Sequence, residues 1–269
     1  MKKLVIIVSV LLMLFLVGCG KSTSDVSKSN EPSTVTDYNI TITTILDGTN
    51  TLDIDGKYTG ELIDGKPQGA GTFKAEGENG SLYVYEGDFS NGYCNGHGVT
   101  TITNDGKTVE IAGTYTNGKF TPTAGESFNY IGQLDLFGKF TVPEAVIKYI
   151  DTNGNLFPTA TSEAIQSADI QDFSSKQFNK TRQQDQIGLV KLNLYAIQVF
   201  EDDYLGGKLT YLLAADNDNN YYAIYYLDSA EVYNEDTFTA YAIPCSTSSF
   251  DNISGGTTNV IVMAACYIA

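Results

Sequence analysis

His97 is the chain's one histidine, flanked by Gly96 and Gly98. A single histidine excludes a site that needs two, as most catalytic zinc centres do. A Ser-His-Asp triad would have to use it, and the chain lacks a nucleophile-elbow pattern. Asp216, Asp218 and Asn220 form a D-x-D-x-N string that resembles the start of a calcium loop. Such a loop needs Gly at its sixth position and a bidentate Glu at its twelfth, where Tyr221 and Leu227 stand. The string therefore reads as a polar hairpin tip. Glu201-Asp202-Asp203 reads as a solvated loop before Gly206-Gly207; only a meeting of the two acidic loops in space would make a weak calcium site. Among 32 acidic residues a pair for glycoside cleavage is available, but geometry rather than spacing defines such a pair, and nothing marks one. The expectation is a protein without catalytic residues, resident metal or cofactor.

Two other groups bear on chemistry. After Cys19, the remaining cysteines are Cys94, Cys245 and Cys266, an odd set that cannot all pair within the chain. Cys245 and Cys266 fall in two strand-like segments and are either a cross-strand disulfide or two small buried apolar side chains. Tyr221, Tyr222, Tyr225 and Tyr226 alternate between two faces of one strand. One face is core and the other is a candidate aromatic platform, with Tyr222 and Tyr226 as the possible binding surface.

The elements that must carry these residues are strands. The chain has 269 residues, with 18 Tyr, 13 Phe, 26 Gly and no Trp, and Tyr, Phe, Thr, Ile and Val suit pleated surfaces. From Lys57 a unit recurs. Tyr58-Thr59-Gly60-Glu61-Leu62 leads to Asp64-Gly65 and then Gly69-Ala70-Gly71. Tyr85-Glu86-Gly87-Asp88-Phe89 leads to Asn91-Gly92 and Gly96-His97-Gly98 at the same offsets. Gly113, Tyr115 and Asn117-Gly118 repeat the first half, and Tyr130-Ile131-Gly132 is a fainter echo. Asp-Gly and Asn-Gly are hairpin turn pairs, so each unit predicts a β-hairpin. Gly60, Gly87 and Gly113 lie inside strands and predict close contact with an aromatic ring from a neighbouring hairpin. The slot of His97 holds Ala70 one unit earlier, which fits a surface residue rather than a catalytic one.

This pattern resembles the MORN repeat over about residues 56–120. The repeat-defining positions are Tyr58, Gly60, Gly65, Gly69, Gly71, Tyr85, Gly87, Phe89, Gly92, Gly96, Gly98, Gly113, Tyr115 and Gly118. Leu62 replaces an aromatic residue of the family. The Gly60-to-Gly87 spacing exceeds the family's usual period, which predicts a longer loop at 76–81.

The N-terminus resembles a bacterial lipoprotein signal. Lys2 and Lys3 precede an apolar run from Leu4 to Val17, and Leu16-Val17-Gly18-Cys19 matches a lipobox. The run is about fourteen residues, short of the roughly twenty that span a bilayer as a helix. The resemblance implies cleavage before Cys19, a diacylglyceryl group on its sulfur, and an extracytoplasmic protein held on the cell membrane by lipid. At least two acyl chains hold a protein firmly where one does not. The net charge is −16, and cleavage removes two lysines, so phosphate backbones and anionic headgroups are repelled. Nucleic acid is excluded as a partner, and the membrane link rests on the lipid.

Residues 19–37 read as the lipidated cysteine and a polar tether, 38–140 as the MORN-like hairpin sheet and 141–160 as a connector. In 161–269, Thr161 caps a predicted short helix, 176–186 reads as a polar loop, and five apolar alternating runs follow. Their layout resembles an OB-like domain found at the C-terminus of several Gram-positive lipoproteins. The fold class expected is mainly β: a MORN-like antiparallel hairpin sheet followed by a small OB-like β-barrel with one short helix. The function expected is a non-enzymatic binding or scaffold protein with a protein or glycan partner. The competing reading is a lipid-anchored wall or polysaccharide hydrolase.

Overall fold

A computed structural model describes residues 31–47, 50–77, 80–181, 187–252 and 255–269. The signal, Cys19 and most of the tether lie outside the described residues. The chain is mainly β and divides into two units, one ending at Thr123 and one spanning Ala124–Ala269.

The first unit is an antiparallel meander of β1 (Ser33–Asp47), β2 (Asn50–Ile63), β3 (Lys66–Glu76), β4 (Leu82–Ser90), β5 (Tyr93–Asn104), β6 (Lys107–Thr116) and β7 (Lys119–Phe120). Its hairpins turn at Asp64-Gly65, Asn91-Gly92, Asp105-Gly106 and Asn117-Gly118, and both residues of each pair have positive φ. That conformation matches the twist of the flanking strands and is open to Asn, Asp and Gly at little steric cost. The predicted longer loop appears between β3 and β4, where Gly77 donates to the Ser81 carbonyl at 2.8 Å. The strand order closes on itself through one parallel bridge, Ile45 to Lys119. There the Gly118 carbonyl accepts from the Ile45 amide at 3.0 Å and the Thr44 hydroxyl at 2.9 Å.

Two expectations need correction here. Residues 33–37 are not tether but the start of β1, with Ser33 opposite Leu62 and Val35 opposite Gly60. The edge of β2 offers backbone donors and acceptors, and a polar segment can satisfy them without an apolar face. The hairpin unit also stops before residue 140. Pro122 has no amide to donate to a ladder. Ala124–Ile131 then forms a helix, α1, with Phe128 and Ile131 buried. The echo at Tyr130-Ile131-Gly132 is therefore the last two residues of a helix and the turn after it, not a hairpin.

The second unit holds α1, α2 (Glu144–Thr152), α3 (Ser162–Gln166) and α4 (Ser175–Thr181). Its strands are β8 (Ile170–Gln171), β9 (Leu189–Tyr204), β10 (Gly207–Ala215), β11 (Tyr221–Tyr226), β12 (Thr237–Asp251) and β13 (Thr257–Ile268). The sequence predicts one helix here, from Ser162 to about Gln171; α3 is that helix but stops at Gln166, and Ile170–Gln171 is strand β8 instead. The Thr161 hydroxyl accepts from the Ala164 amide at 3.2 Å, as an N-cap does. Where a polar loop is expected, α4 forms, because Phe178 packs its ring 5.8 Å from Phe173 and is buried.

The sheet order is β10-β11-β13-β12-β9-β8, and β10 pairs also with β9. Each strand from β9 to β13 thus has two neighbours among those five, and β9 pairs with β8 as well. The β11–β13 pair is parallel, and the other pairs among those five are antiparallel. One face buries Val190, Leu192, Leu194, Leu212, Ile224, Ile261 and Met263. Across the other face, Phe137 meets Phe200, Tyr211 and Phe250, and Phe140 meets Tyr225 at 5.3 Å.

Candidate functional site

The repeat motif builds a core rather than a contact surface. Five glycines lie in register across neighbouring strands: Gly60 opposite Gly71, Gly71 opposite Gly87, Gly87 opposite Gly98, and Gly98 opposite Gly113. For Gly60 and Gly87 the ring comes from their own strand, not from a neighbouring hairpin as expected, and it also covers the glycine opposite on the paired strand. Tyr58 lies over Gly60 and Gly71, and Tyr85 over Gly87 and Gly98. Strand side chains lean along their own strand, so a ring covers the residue two places on. Each hydroxyl ends on a carbonyl of its own repeat, Tyr58 on Glu61 at 3.2 Å and Tyr85 on Asp88 at 3.0 Å. Burial raises both tyrosines above the ordinary phenol range.

Phe89, in the slot of Leu62, stands edge-on to Tyr58 at 5.0 Å and to Tyr85 at 5.1 Å. The third unit departs from this. Ile111 takes the Tyr58 slot, and Tyr115 takes the slot of Phe89. Its hydroxyl turns back to the Ile111 carbonyl at 3.0 Å and Thr100 Oγ1 at 2.8 Å. Gly65, Gly92 and Gly118 occupy turns, and Gly69 and Gly96 take positive φ beside register shifts.

A second device couples one hairpin to the next. The Asn91 amide donates to Gln68 Oε1 at 3.1 Å, and the Gly92 amide to the Pro67 carbonyl at 3.0 Å. One repeat later the Asn117 amide donates to Asn95 Oδ1 at 3.1 Å, and the Gly118 amide to the Cys94 carbonyl at 2.9 Å. Sequence reasoning missed Gln68 and Asn95. Their signal is an amide side chain immediately before Gly69 and Gly96. With the motif inside, the outward face carries threonines and carboxylates. Thr43 donates to Asp53 at 2.7 Å, and Thr103 and Thr108 pair across their hairpin at 3.0 Å. His97 is exposed on this side.

In the second unit the expected aromatic surface is inverted. Tyr222 and Tyr226 belong to the buried cluster, so they are not a binding surface. The ring of Tyr222 is needed in the core, and its hydroxyl reaches Asp216 Oδ2 at 2.8 Å. Asp216 also accepts from the Asp218 and Asn220 amides at 2.9 Å each and from Asn220 Nδ2. Partial burial opposes its charge, but those donors outweigh it and hold the carboxyl below the usual range. The D-x-D-x-N string is thus a self-satisfied hairpin tip. Glu201 and Asp203 pair with Lys208 at 3.5 and 2.9 Å, and Asp202 accepts from Tyr211. Among the described residues, three or more His, Cys, Asp or Glu nowhere gather as a metal site would require.

Cys94, Cys245 and Cys266 are free and buried, so Cys245 and Cys266 do not pair. Each sits at a register irregularity of the β12–β13 ladder, beside Met263 and Tyr241 respectively, about three residues apart along it. That is roughly 10 Å, beyond the ~7 Å reach of a disulfide. Burial pushes all three thiols up to about 12. The unfolded chain ionises them near 9.0, so their neutral form favours the fold below that pH and the contribution fades as pH climbs toward about 12. In a Cys19→Ala protein at pH 8, an aromatic disulfide reagent should find essentially no thiols in native buffer and all three in denaturant. Fast native reaction, or fewer than three after unfolding, contradicts this burial and pairing state.

In comparison with known proteins, the family described as the MORN repeat matches residues 58–76 and 85–107. No curated protein and no solved structure matches the chain.

Proposed function

We propose that the protein is an extracytoplasmic scaffold, held to the cell membrane by lipid on Cys19, whose two β units are non-enzymatic binding modules. The observation that carries the binding reading is the use of the repeat residues. Tyr58, Tyr85, Phe89 and the glycine row are spent on a rigid core, which leaves a regular outward face free for a partner. MORN repeats at 58–107 favour a binding or scaffold role. The second unit is read as OB-like: its ring of pairings, first-second-third-fifth-fourth with the third and fifth parallel, supports a five-stranded Greek-key barrel. The Leu16-Val17-Gly18-Cys19 string supports the lipid anchor.

Replacing Cys19 with Ala tests the anchor. The variant should move from the membrane to the soluble fraction outside the cytoplasm and lack the lipid mass. Within 56–120 acidic residues outnumber basic ones, so the released form should not rebind anionic vesicles at physiological salt. A variant that stays processed and membrane-bound, or that binds such vesicles, refutes the lipid as the only tie.

A further inference from the structure

The second unit carries an outward sheet face whose composition sets it apart from the rest of the chain. On β9, Lys191, Asn193 and Tyr195 alternate outward and are exposed, while Leu192 and Leu194 are buried. Opposite them on β12 stand Tyr241, Thr239 and Thr237. On the other side of Tyr195 lies Ala215 of β10, and opposite Ala215 lies Tyr221 of β11. Residues directly opposite on paired strands project to the same side. Thr237, Tyr195, Ala215 and Tyr221 therefore form one row across four strands. Tyr267 of β13 extends the face beyond Tyr241, with ring centroids 6.0 Å apart.

Two properties of this face indicate what covers it. Tyr195 is 45% and Tyr221 41% exposed, among the largest apolar side chains left in water. Small Ala215 stands between them in the row. Furthermore, no Asp or Glu stands among these face positions, in a chain with 32 acidic residues and only 16 basic ones. A basic protein partner would call for carboxylates. A polyanion would call for more than Lys191, itself placed 5.8 Å over the Tyr241 ring. What remains is flat rings beside amide and hydroxyl groups: Asn193 already accepts from Thr239 at 3.1 Å and keeps its amide hydrogens for a ligand.

We infer that this face binds a neutral polysaccharide, with Tyr195 and Tyr221 stacking on sugar rings and Asn193 and Thr237 bonding hydroxyls. The two tyrosines are two strands apart, roughly 10 Å at the backbone, a step comparable to a disaccharide of an extended glycan. Sugar rings expose C–H faces that pack on aromatic faces, and their hydroxyls stay bonded at the edges. The inference rests on the reading of the second unit as a binding module and names its ligand class.

The test uses the detergent-solubilised full chain in native gels cast with hydroxyethyl cellulose, laminarin, xyloglucan, dextran or glycol chitin, with pectin as the polyanion. At least one neutral polymer should retard the protein and pectin should not. Tyr195→Ala and Tyr221→Ala should each weaken retardation about tenfold. Tyr195→Phe should keep it, and Tyr233→Ala, an exposed tyrosine outside the row, should leave it unchanged. Matching circular dichroism melts show that the variants fold. No retardation by any neutral polymer, retardation by pectin alone, or insensitivity to both alanine changes overturns the inference. Capture of a protein through Tyr195 and Tyr221 without glycan retardation also overturns it, yet leaves the binding-module reading standing.

Discussion

Gly98→Ala should cost the first unit about 3 kcal/mol, the upper part of the range for overfilling a packed core. An added Cβ would lie 2.4 Å from the Tyr85 hydroxyl oxygen and 2.5 Å from its Cζ. The ring has nowhere to retreat. Tyr85 is fully buried, with Phe89 and Tyr115 edge-on to it at 5.1 Å each. Its hydroxyl is tied to Asp88, so a shift also breaks that bond. Thermal or urea unfolding of the purified protein reads the loss. The steric cause makes a sharper demand: in a Tyr85→Leu background, itself weakened, Gly98→Ala should cost well under half as much. An equal cost in both backgrounds would mean that the glycine is there for backbone reasons and not for the ring. Gly106→Ala is the contrasting control. Nothing lies within 4 Å of its Cβ position, and its expense is the positive φ alone, about 1 kcal/mol.

Phe137→Ala should destabilise the second unit by about 4 kcal/mol, as deletion of a buried aromatic does. Phe137 is 4% exposed and touches three other rings, Phe200, Tyr211 and Phe250, at 5.5 to 6.2 Å. The segment that carries it looks, in sequence, like the tail of the hairpin array. If it belonged there, the change would lower the unfolding transition that Gly98→Ala lowers. The expected result is the opposite: two probes, one per unit, should separate, with Phe137→Ala moving only the second. A shift confined to the first transition contradicts the division at Thr123.

How much was legible follows from the range of each signal. The hairpins of the first unit are visible because Asn-Gly and Asp-Gly fix turns locally and the tyrosines and glycines recur at constant offsets. Asp105-Gly106 carries the same turn signal but has no Gly counterpart at the repeat offset one unit earlier. Which ring a strand glycine accommodates is not legible, since a ring from its own hairpin and a ring from a neighbouring hairpin leave the same residues in the sequence. The five long strands of the second unit were legible from alternation, yet three helices were not. α1, α2 and α4 are each under ten residues, and their buried stripes amount to a few side chains, such as Val146 and Ile150 in α2. Tyr222 and Tyr221 differ by one place and hence by face. Choosing which face is core needs the partners Leu212 of β10 and Met263 of β13, which are brought in from other strands.

The amide clamps at Gln68 and Asn95 bear on how the chain acquires its shape. They join residues 23 and 22 positions apart, and every antiparallel ladder of the meander links a strand to the next one in order. Short-range closure of this kind is fast and needs little of the chain at once. A polypeptide emerging N-terminus first from a narrow pore would therefore zip up hairpin by hairpin behind the exit. Only the Ile45–Lys119 bridge has to wait until the whole unit has come through.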